Sequence, residues 1–423
     1  MVGPRVTEQI QRLYESGPIF VNRSRRWISN PLRSRRGQSP LTRFHAPGHQ
    51  TWFGYYDITP FDRTGSRILA MVGERFARTP KPGDIIQVGY FDVSDTTSFY
   101  SLSSTTTWCW QQGCRLRWWH PAAGEPERIL FNRLVDGRYG SSVVDPISGS
   151  VMQDFDFPIY DVDLQGKRAV TLNFSRLQRL RPGYGYVNSP DSSALDRCPD
   201  QDGIWDFDLS GGERRLLVSL RDLRNIEPSP SMVDAEHYVN HLSYSPSGTK
   251  LLFFHLWTRE GERFNRMMTI DCDGQNLKVI HDVGLVSHFA WRNDDIVLAT
   301  VYHGGRFTYN VFDLHSRKMR AFGENILTVD GHPSYAADGT TILTDTYADR
   351  FGEQHLLLYH PEKGSRNLGR YYAPVRFRGE WRCDLHPRWD QTRRRIAFDS
   401  THDGWRSLYV IDLDEQPLDL VHG

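Results

Sequence analysis

The chain has 423 residues, with 51 Lys and Arg against 51 Asp and Glu, so net charge implies no polyanion partner and no nucleic acid is expected. Its 13% aromatic content, including 12 Trp, suits broad sheets packed face to face. Five cysteines (Cys109, Cys114, Cys198, Cys272, Cys383) are too few, and odd in number, for a disulfide framework.

The N-terminus, MVGPRVTEQIQRLYESG, lacks the apolar core of a signal peptide, and no apolar run reaches membrane-spanning length. A cytoplasmic protein without a membrane span is expected. Residues 1 to 44 stand apart as a basic arm. A short helix is expected over Thr7 to Glu15. From Arg23 to Arg43 there are seven arginines and no acid. The reading is a solvated arm wrapping the domain, or else a contact to an anionic glycan, lipid or nucleic acid.

From residue 45 to 423 the chain reads as repeated units of short strands. The first runs from Gly54-Tyr-Tyr-Asp through Arg67-Ile-Leu-Ala-Met to Gln87-Val-Gly-Tyr-Phe. The second runs from Cys114 through Arg128-Ile-Leu-Phe to Ser141-Ser-Val-Val. The third runs from Pro158-Ile-Tyr through Arg168-Ala-Val-Thr to Gly203-Ile-Trp, with an insertion from Arg176 to Asp202. Four more units open on His-x-x-aromatic: His241 to Tyr244, His288 to Trp291, His332 to Tyr335 and His386 to Trp389. These histidines are 47, 44 and 54 residues apart. A period of this size in strand-rich units signals propeller blades. The expected fold is all-β, a seven-bladed β-propeller with a short N-terminal arm, and a monomer.

In a propeller the first strand of each blade lines the central channel, so the four histidines converge at one mouth. Metal binding, a metal-free polar site and structural hydrogen bonding are the three readings. Cys383 with His386 gives a C-x-x-H pair beside that mouth. The expected ligands are His332, His386 and Cys383, with His288 as a further one. Thiolate and imidazole favour Zn, with Mn or Ca as alternatives.

Several motifs together resemble the seven-bladed polysaccharide lyases. They are Gly54-Tyr-Tyr-Asp, Trp108-Cys-Trp-Gln-Gln-Gly113, Asp136-Gly-Arg138, Phe174-Ser-Arg-Leu, Arg181-Pro-Gly-Tyr-Gly-Tyr186, Asn240-His241, Ser287-His288, Gly331-His332 and Trp381-Arg-Cys-Asp-Leu-His386. The chain looks most like the ulvan lyases and more distantly like the oligogalacturonate lyases, over about residues 50 to 415.

The resemblance implies β-elimination on a uronate-containing, anionic oligosaccharide or polysaccharide. That chemistry needs a cation at the carboxylate, a base for the C5 proton and an acid for the leaving oxygen. By the ulvan-lyase pattern Arg176 binds the carboxylate and Tyr160 moves the proton, with Tyr186 or His241 beside it. Arg138 is the reserve cation. The oligogalacturonate lyases imply a metal at the channel mouth, near His288, His332 and His386. No histidine occurs between His49 and His120, where Gln87, Gln111 and Gln112 stand instead. Glutamine can hydrogen-bond a sugar but cannot take its proton, so Gln111, Gln112, Arg138 and His288 read as substrate-binding. The alternative function is a non-catalytic glycan-binding or scaffold propeller. No G-x-S-x-G element supports a serine-peptidase partner domain.

Overall fold

The computed structural model describes residues 40–120, 125–211 and 214–413. The arm through residue 39, with its expected helix, lies outside the described residues. From there the chain builds the expected seven-bladed propeller, as seven four-stranded antiparallel sheets. Their inner strands are Gln50–Trp52, Arg117–Trp119, Asp161–Val162, Glu236–Tyr244, Leu285–Trp291, Ser334–Tyr335 and Arg388–Trp389. Among the described residues no helix is long and apolar enough to cross a membrane.

The ring closes through Leu41–Phe44. This strand, on the arm side of the expected boundary, is the outer strand of blade seven and pairs antiparallel with Ser407–Asp412. The first and last parts of the chain thus share one sheet.

Each blade is covered on both faces by its neighbours, so its second strand reads as a continuous apolar run. In blade four, Lys250–Arg259 buries every residue from Leu251 to Trp257. The turn before it, Ser245-Pro-Ser-Gly248, closes with the Gly248 amide on the Ser245 carbonyl at 2.8 Å.

The inner strands of blades four and five carry β-bulges between Asn240 and Ser243 and between Val286 and Phe289. A bulge re-aims the side chain it contains. His241 and His288 sit inside those bulges, and His241 takes a left-handed backbone, φ 58°. In blades six and seven, His332 and His386 lie just ahead of the paired residues, and His386 is left-handed too, φ 46°. The repeated motif thereby serves both ends of the channel. Its histidines face one mouth, while Tyr244, Trp291, Tyr335 and Trp389 line a cavity of about 690 Å³ at the other.

The segment Gly54 to Asp57 crosses the channel between these mouths. Gly54 has φ +129°, and a Cβ there would meet the Gln112 backbone at 3.2 Å. Its amide donates to Asp399 at 3.1 Å. Arg388 donates to the Tyr55 carbonyl at 2.9 Å and also to that of Gly54. Asp57 is held by both ends of the Arg115 guanidinium, at 2.8 and 3.2 Å.

The insertion in blade three contributes helix α1, Phe174–Leu180. Asn173 caps it by accepting the Arg176 amide at 2.9 Å. Pro182 follows at once and keeps Arg181 out of the helical region, φ −142° and ψ 74°. That break turns the chain toward the histidine mouth.

Candidate functional site

The histidine mouth holds a cavity of about 320 Å³, lined among others by Arg181, Tyr184, His241, His288, Tyr347 and Arg382. Beneath it the four histidine rings surround Tyr55. Ring centroids of Tyr55 and His386 are 4.8 Å apart, and of Tyr55 and His241 5.4 Å. His332 lies 4.1 Å from His288 and 4.3 Å from His386, centroid to centroid.

Three side chains bring donor atoms within 4.8 Å of one another: His332, Asp384 and His386, all buried. The Nδ1 of His332 faces Asp345 at 2.8 Å, and the Nδ1 of His386 faces the Gly54 carbonyl at 2.9 Å. Each acceptor fixes the proton on Nδ1 and leaves Nε2 with a lone pair. Both Nε2 atoms, with Oδ2 of Asp384, are buried and lack a hydrogen-bond partner among the described residues. Oriented imidazoles with free Nε2 atoms beside a carboxylate suit a divalent cation. The Nε of Arg382 lies 2.8 Å from the same Asp384 oxygen, without hydrogen-bond alignment.

Electrostatics separate the histidines. Burial drives His241 and His386 well below the ordinary histidine range, and neighbouring histidine and arginine charges add to it. His288 is lowered by burial and His332, with Asp330 opposing. Burial opposes protonation of His332 as well, but the carboxylates of Asp345, Asp384 and Asp330 together outweigh it and the pKa is raised. The rim is cationic. Arg382 donates to the Tyr184 hydroxyl at 3.0 Å, and the Arg181 guanidinium lies 5.0 Å over the Tyr184 ring.

Several expected residues are placed elsewhere. Tyr160 is fully buried, and its hydroxyl takes Gln112 Nε2 at 2.6 Å and the His241 amide at 3.0 Å while donating to Asn240 at 2.9 Å. Burial lifts its pKa far above 10, with Arg115 opposing. It is a pillar under His241 and does not reach the cavity. Arg176, 1% exposed, does not line the histidine-mouth cavity. It donates to the carbonyls of His237 at 2.6 Å, Asp196 at 3.1 Å and Arg197 at 2.8 Å, and so staples the insertion to blade four. Tyr186 stacks on Phe174 at 4.3 Å and accepts from Asn132 at 2.8 Å, below the rim.

Gln111 and Gln112 are buried and support the site from behind. Gln111 Nε2 holds the carbonyls of Glu380 at 2.9 Å and Arg382 at 3.2 Å, on the loop that carries Arg382. Arg138 sits in an exposed hairpin, opposite Val135, and does not line the cavity. Cys383 stays outside the three-residue donor group. Its thiol is pushed up to about 12, chiefly by burial. His241 and His288 both line the cavity, and the Nδ1 of His288 faces Asp330 at 3.2 Å.

In fold, the chain is similar to oligogalacturonate lyases. A solved oligogalacturonate lyase in complex with manganese superposes with a TM-score of 0.65 at 16% identity, over 90% of this chain and 95% of that one. The oligogalacturonate lyase of Vibrio parahaemolyticus gives a TM-score of 0.60 at 12% identity, over 90% and 96%. The expected nearness to ulvan lyases is not shown by this likeness. No family model matches the sequence. No curated protein matches it either.

Sequence reasoning missed Tyr55, Asp384, Arg181 and Arg382 as site residues. Each stood inside a recognised motif: Gly54-Tyr-Tyr-Asp, Arg181-Pro-Gly-Tyr and Trp381-Arg-Cys-Asp-Leu-His. The available signal was the charge and hydroxyl content of those motifs.

Proposed function

We propose that this chain is a carbon–oxygen lyase that cleaves a uronate-containing oligosaccharide by β-elimination. One observation carries the reading. A buried donor group, His332, Asp384 and His386, lies against the cavity lined by cationic Arg181 and Arg382, by His288 and by His241, whose Nδ1 is buried without a hydrogen-bond partner among the described residues.

The roles follow from chemistry. Arg181 and Arg382 meet the substrate carboxylate, for which a guanidinium fork is the matching shape. His241, held neutral by burial, offers a lone pair for the C5 proton. The C5–H electrons form the C4=C5 bond, the C4–O4 bond breaks and the leaving oxygen takes a proton. His332, Asp384 and His386 would hold a divalent cation. When bound, such an ion supplies positive charge to the uronate carboxylate and makes the C5 proton more acidic. With Asp384 in place of the Cys383 thiolate, the donor set is imidazole and carboxylate, which suits Mn as well as Zn. The manganese complex of the similar lyase supports that choice.

The test is a panel of uronate oligosaccharides, oligogalacturonates first, incubated with the protein and MnCl₂ or ZnCl₂. The unsaturated product absorbs in the near ultraviolet. An absorbance rise that His241→Ala abolishes is the expected result. Absence of product on every substrate with either metal overturns the reading. The ion pair of Arg382 with Asp384 favours a second reading, a glycan-binding propeller without turnover, because it occupies one metal donor. Saturable oligosaccharide binding without product selects it.

A further inference from the structure

The four channel histidines differ in what holds the ring. Nδ1 of His288 faces the Asp330 carboxylate at 3.2 Å, that of His332 the Asp345 carboxylate at 2.8 Å, and that of His386 the Gly54 carbonyl at 2.9 Å. Ionised carboxylates and carbonyls only accept. These three rings therefore carry their proton on Nδ1. His241 is held at the other nitrogen, with Nε2 2.6 Å from the Tyr55 hydroxyl. A phenol donates or accepts with equal ease. Its partner thus leaves the tautomer of His241 undictated, and Nδ1, buried and without a hydrogen-bond partner among the described residues, belongs to a ring that lines the cavity.

Both partners are fixed in place. Tyr55 is 3% exposed, with its backbone carbonyl on Arg388 and its ring against His386. His241 is locked in the left-handed region at φ 58°, its amide on the Tyr160 hydroxyl and its ring stacked on Phe254 at 4.9 Å. A left-handed histidine is strained and persists where its surroundings over-determine it. Here the surroundings hold the ring against a single hydroxyl.

We propose that Tyr55 is a positioning residue that lets His241 present its Nδ1 to the substrate first as acceptor and then as donor. This deepens the lyase reading and rests on it. When Nε2–H donates to the Tyr55 oxygen, the Nδ1 lone pair points at the C5 proton. Proton transfer leaves hydrogen on both nitrogens, and the Nε2–H bond to the phenol persists. The C5–H electrons become the C4=C5 bond, C4–O4 breaks, and the proton on Nδ1 passes to the departing oxygen. His241 returns to its starting state, with no net proton taken up. When Tyr55 instead donates to Nε2, Nδ1 carries the hydrogen and the ring is not ready to take the C5 proton.

The experiment reads tautomer and turnover separately. In the substrate-free wild-type protein, the ring nitrogens of His241 should show ¹⁵N shifts between the limits of the two neutral tautomers, assigned with His241→Gln. Tyr55→Phe should move them to one limit. On a substrate found with the panel, Tyr55→Phe should lower kcat about 100-fold with KM within twofold, since proton transfer and not sugar binding is affected. Unchanged metal content and Tm of the variant show that the fold is kept. Wild-type shifts already at one limit, or a variant with full kcat, overturn the assignment of Tyr55. Lack of turnover by the wild type overturns the lyase reading and the catalytic part with it. The wild-type spectrum, once assigned with His241→Gln, judges the Tyr55–His241 pair without Tyr55→Phe having to fold.

Discussion

Nδ1 of His332 lies 2.8 Å from Oδ1 of Asp345, and the other oxygen of that carboxylate takes the His386 amide at 3.0 Å. One buried acid therefore orients two of the three donors in the proposed metal group. Asp345→Asn keeps the shape but loses the charge. Affinity for Mn²⁺ or Zn²⁺ by calorimetry should fall about 10- to 100-fold. Cys383→Ser should leave it unchanged, because the thiol lies outside the group. Equal affinity in Asp345→Asn, or loss in Cys383→Ser, would return the metal to another ligand set.

Metal occupancy should also fall at acid pH. Imidazole binds a cation only through an unprotonated nitrogen, so protons compete for Nε2 of His332 and His386. The raised pKa of His332 makes it the first of the pair to be lost as pH drops. Dialysis against Mn²⁺ at pH 8 and pH 5, followed by metal analysis, measures the difference. Equal stoichiometry at both values would speak against histidine ligation.

A second pH effect comes from blade four. Arg266 Nε donates to Nδ1 of His255 at 3.2 Å, so His255 carries its hydrogen on Nε2, 2.9 Å from Nδ1 of His237. Neither ring has room for a second proton. Burial lowers His237 to about 4 and takes His255 well below the ordinary range. Because the folded pKa is depressed, the unfolded chain binds more protons between pH 6.5 and 4. Stability is whole above about 6.5 and is lost as pH falls through that window. From His237 the loss by pH 5 is on the order of 2 kcal/mol. Urea unfolding at pH 7.5 and 5 should show it, and His237→Gln should flatten the pH slope. An unchanged slope in that variant would exclude the pair as its source.

Tyr160→Phe separates a pillar from a proton carrier. It leaves Gln112 Nε2, Asn240 Oδ1 and the His241 amide short of a buried partner. Stability should drop by about 2 kcal/mol or more, read as a lower denaturation midpoint. Full stability with lost turnover would restore Tyr160 to a direct chemical role.

Arg176→Ala should release the insertion. The side chain bonds carbonyls at both His237 and Arg197, so its removal strands several buried acceptors. The expected result is faster proteolysis between residues 181 and 202 and a destabilisation of about 3 kcal/mol. Arg176→Lys should rescue it only in part, because one ammonium cannot span the spread of acceptors. Wild-type protease resistance in Arg176→Ala would remove the staple.

The sequence by itself determined the repeat. Strand periodicity, turn residues and four His-x-x-aromatic units fixed seven blades and brought His241, His288, His332 and His386 to one mouth. Those features are local, repeating every 44 to 54 residues over the four units, and a local pattern is what sequence displays. Tertiary structure decided which neighbours each side chain meets. Cys383 and Asp384 are adjacent, yet Asp384 joins the candidate donor group while Cys383 stays outside it, its thiol governed chiefly by burial. Tyr160 and Arg176 stood at the right places in blade three, but their bonding partners come from as far as Gln112, Asn240 and His237. Tyr55 lies 186 residues from His241 along the chain and 2.6 Å from it in space. Hydrogen-bond partners set whether a phenol, a thiol or a guanidinium is free to act, and ring closure alone brings those partners together.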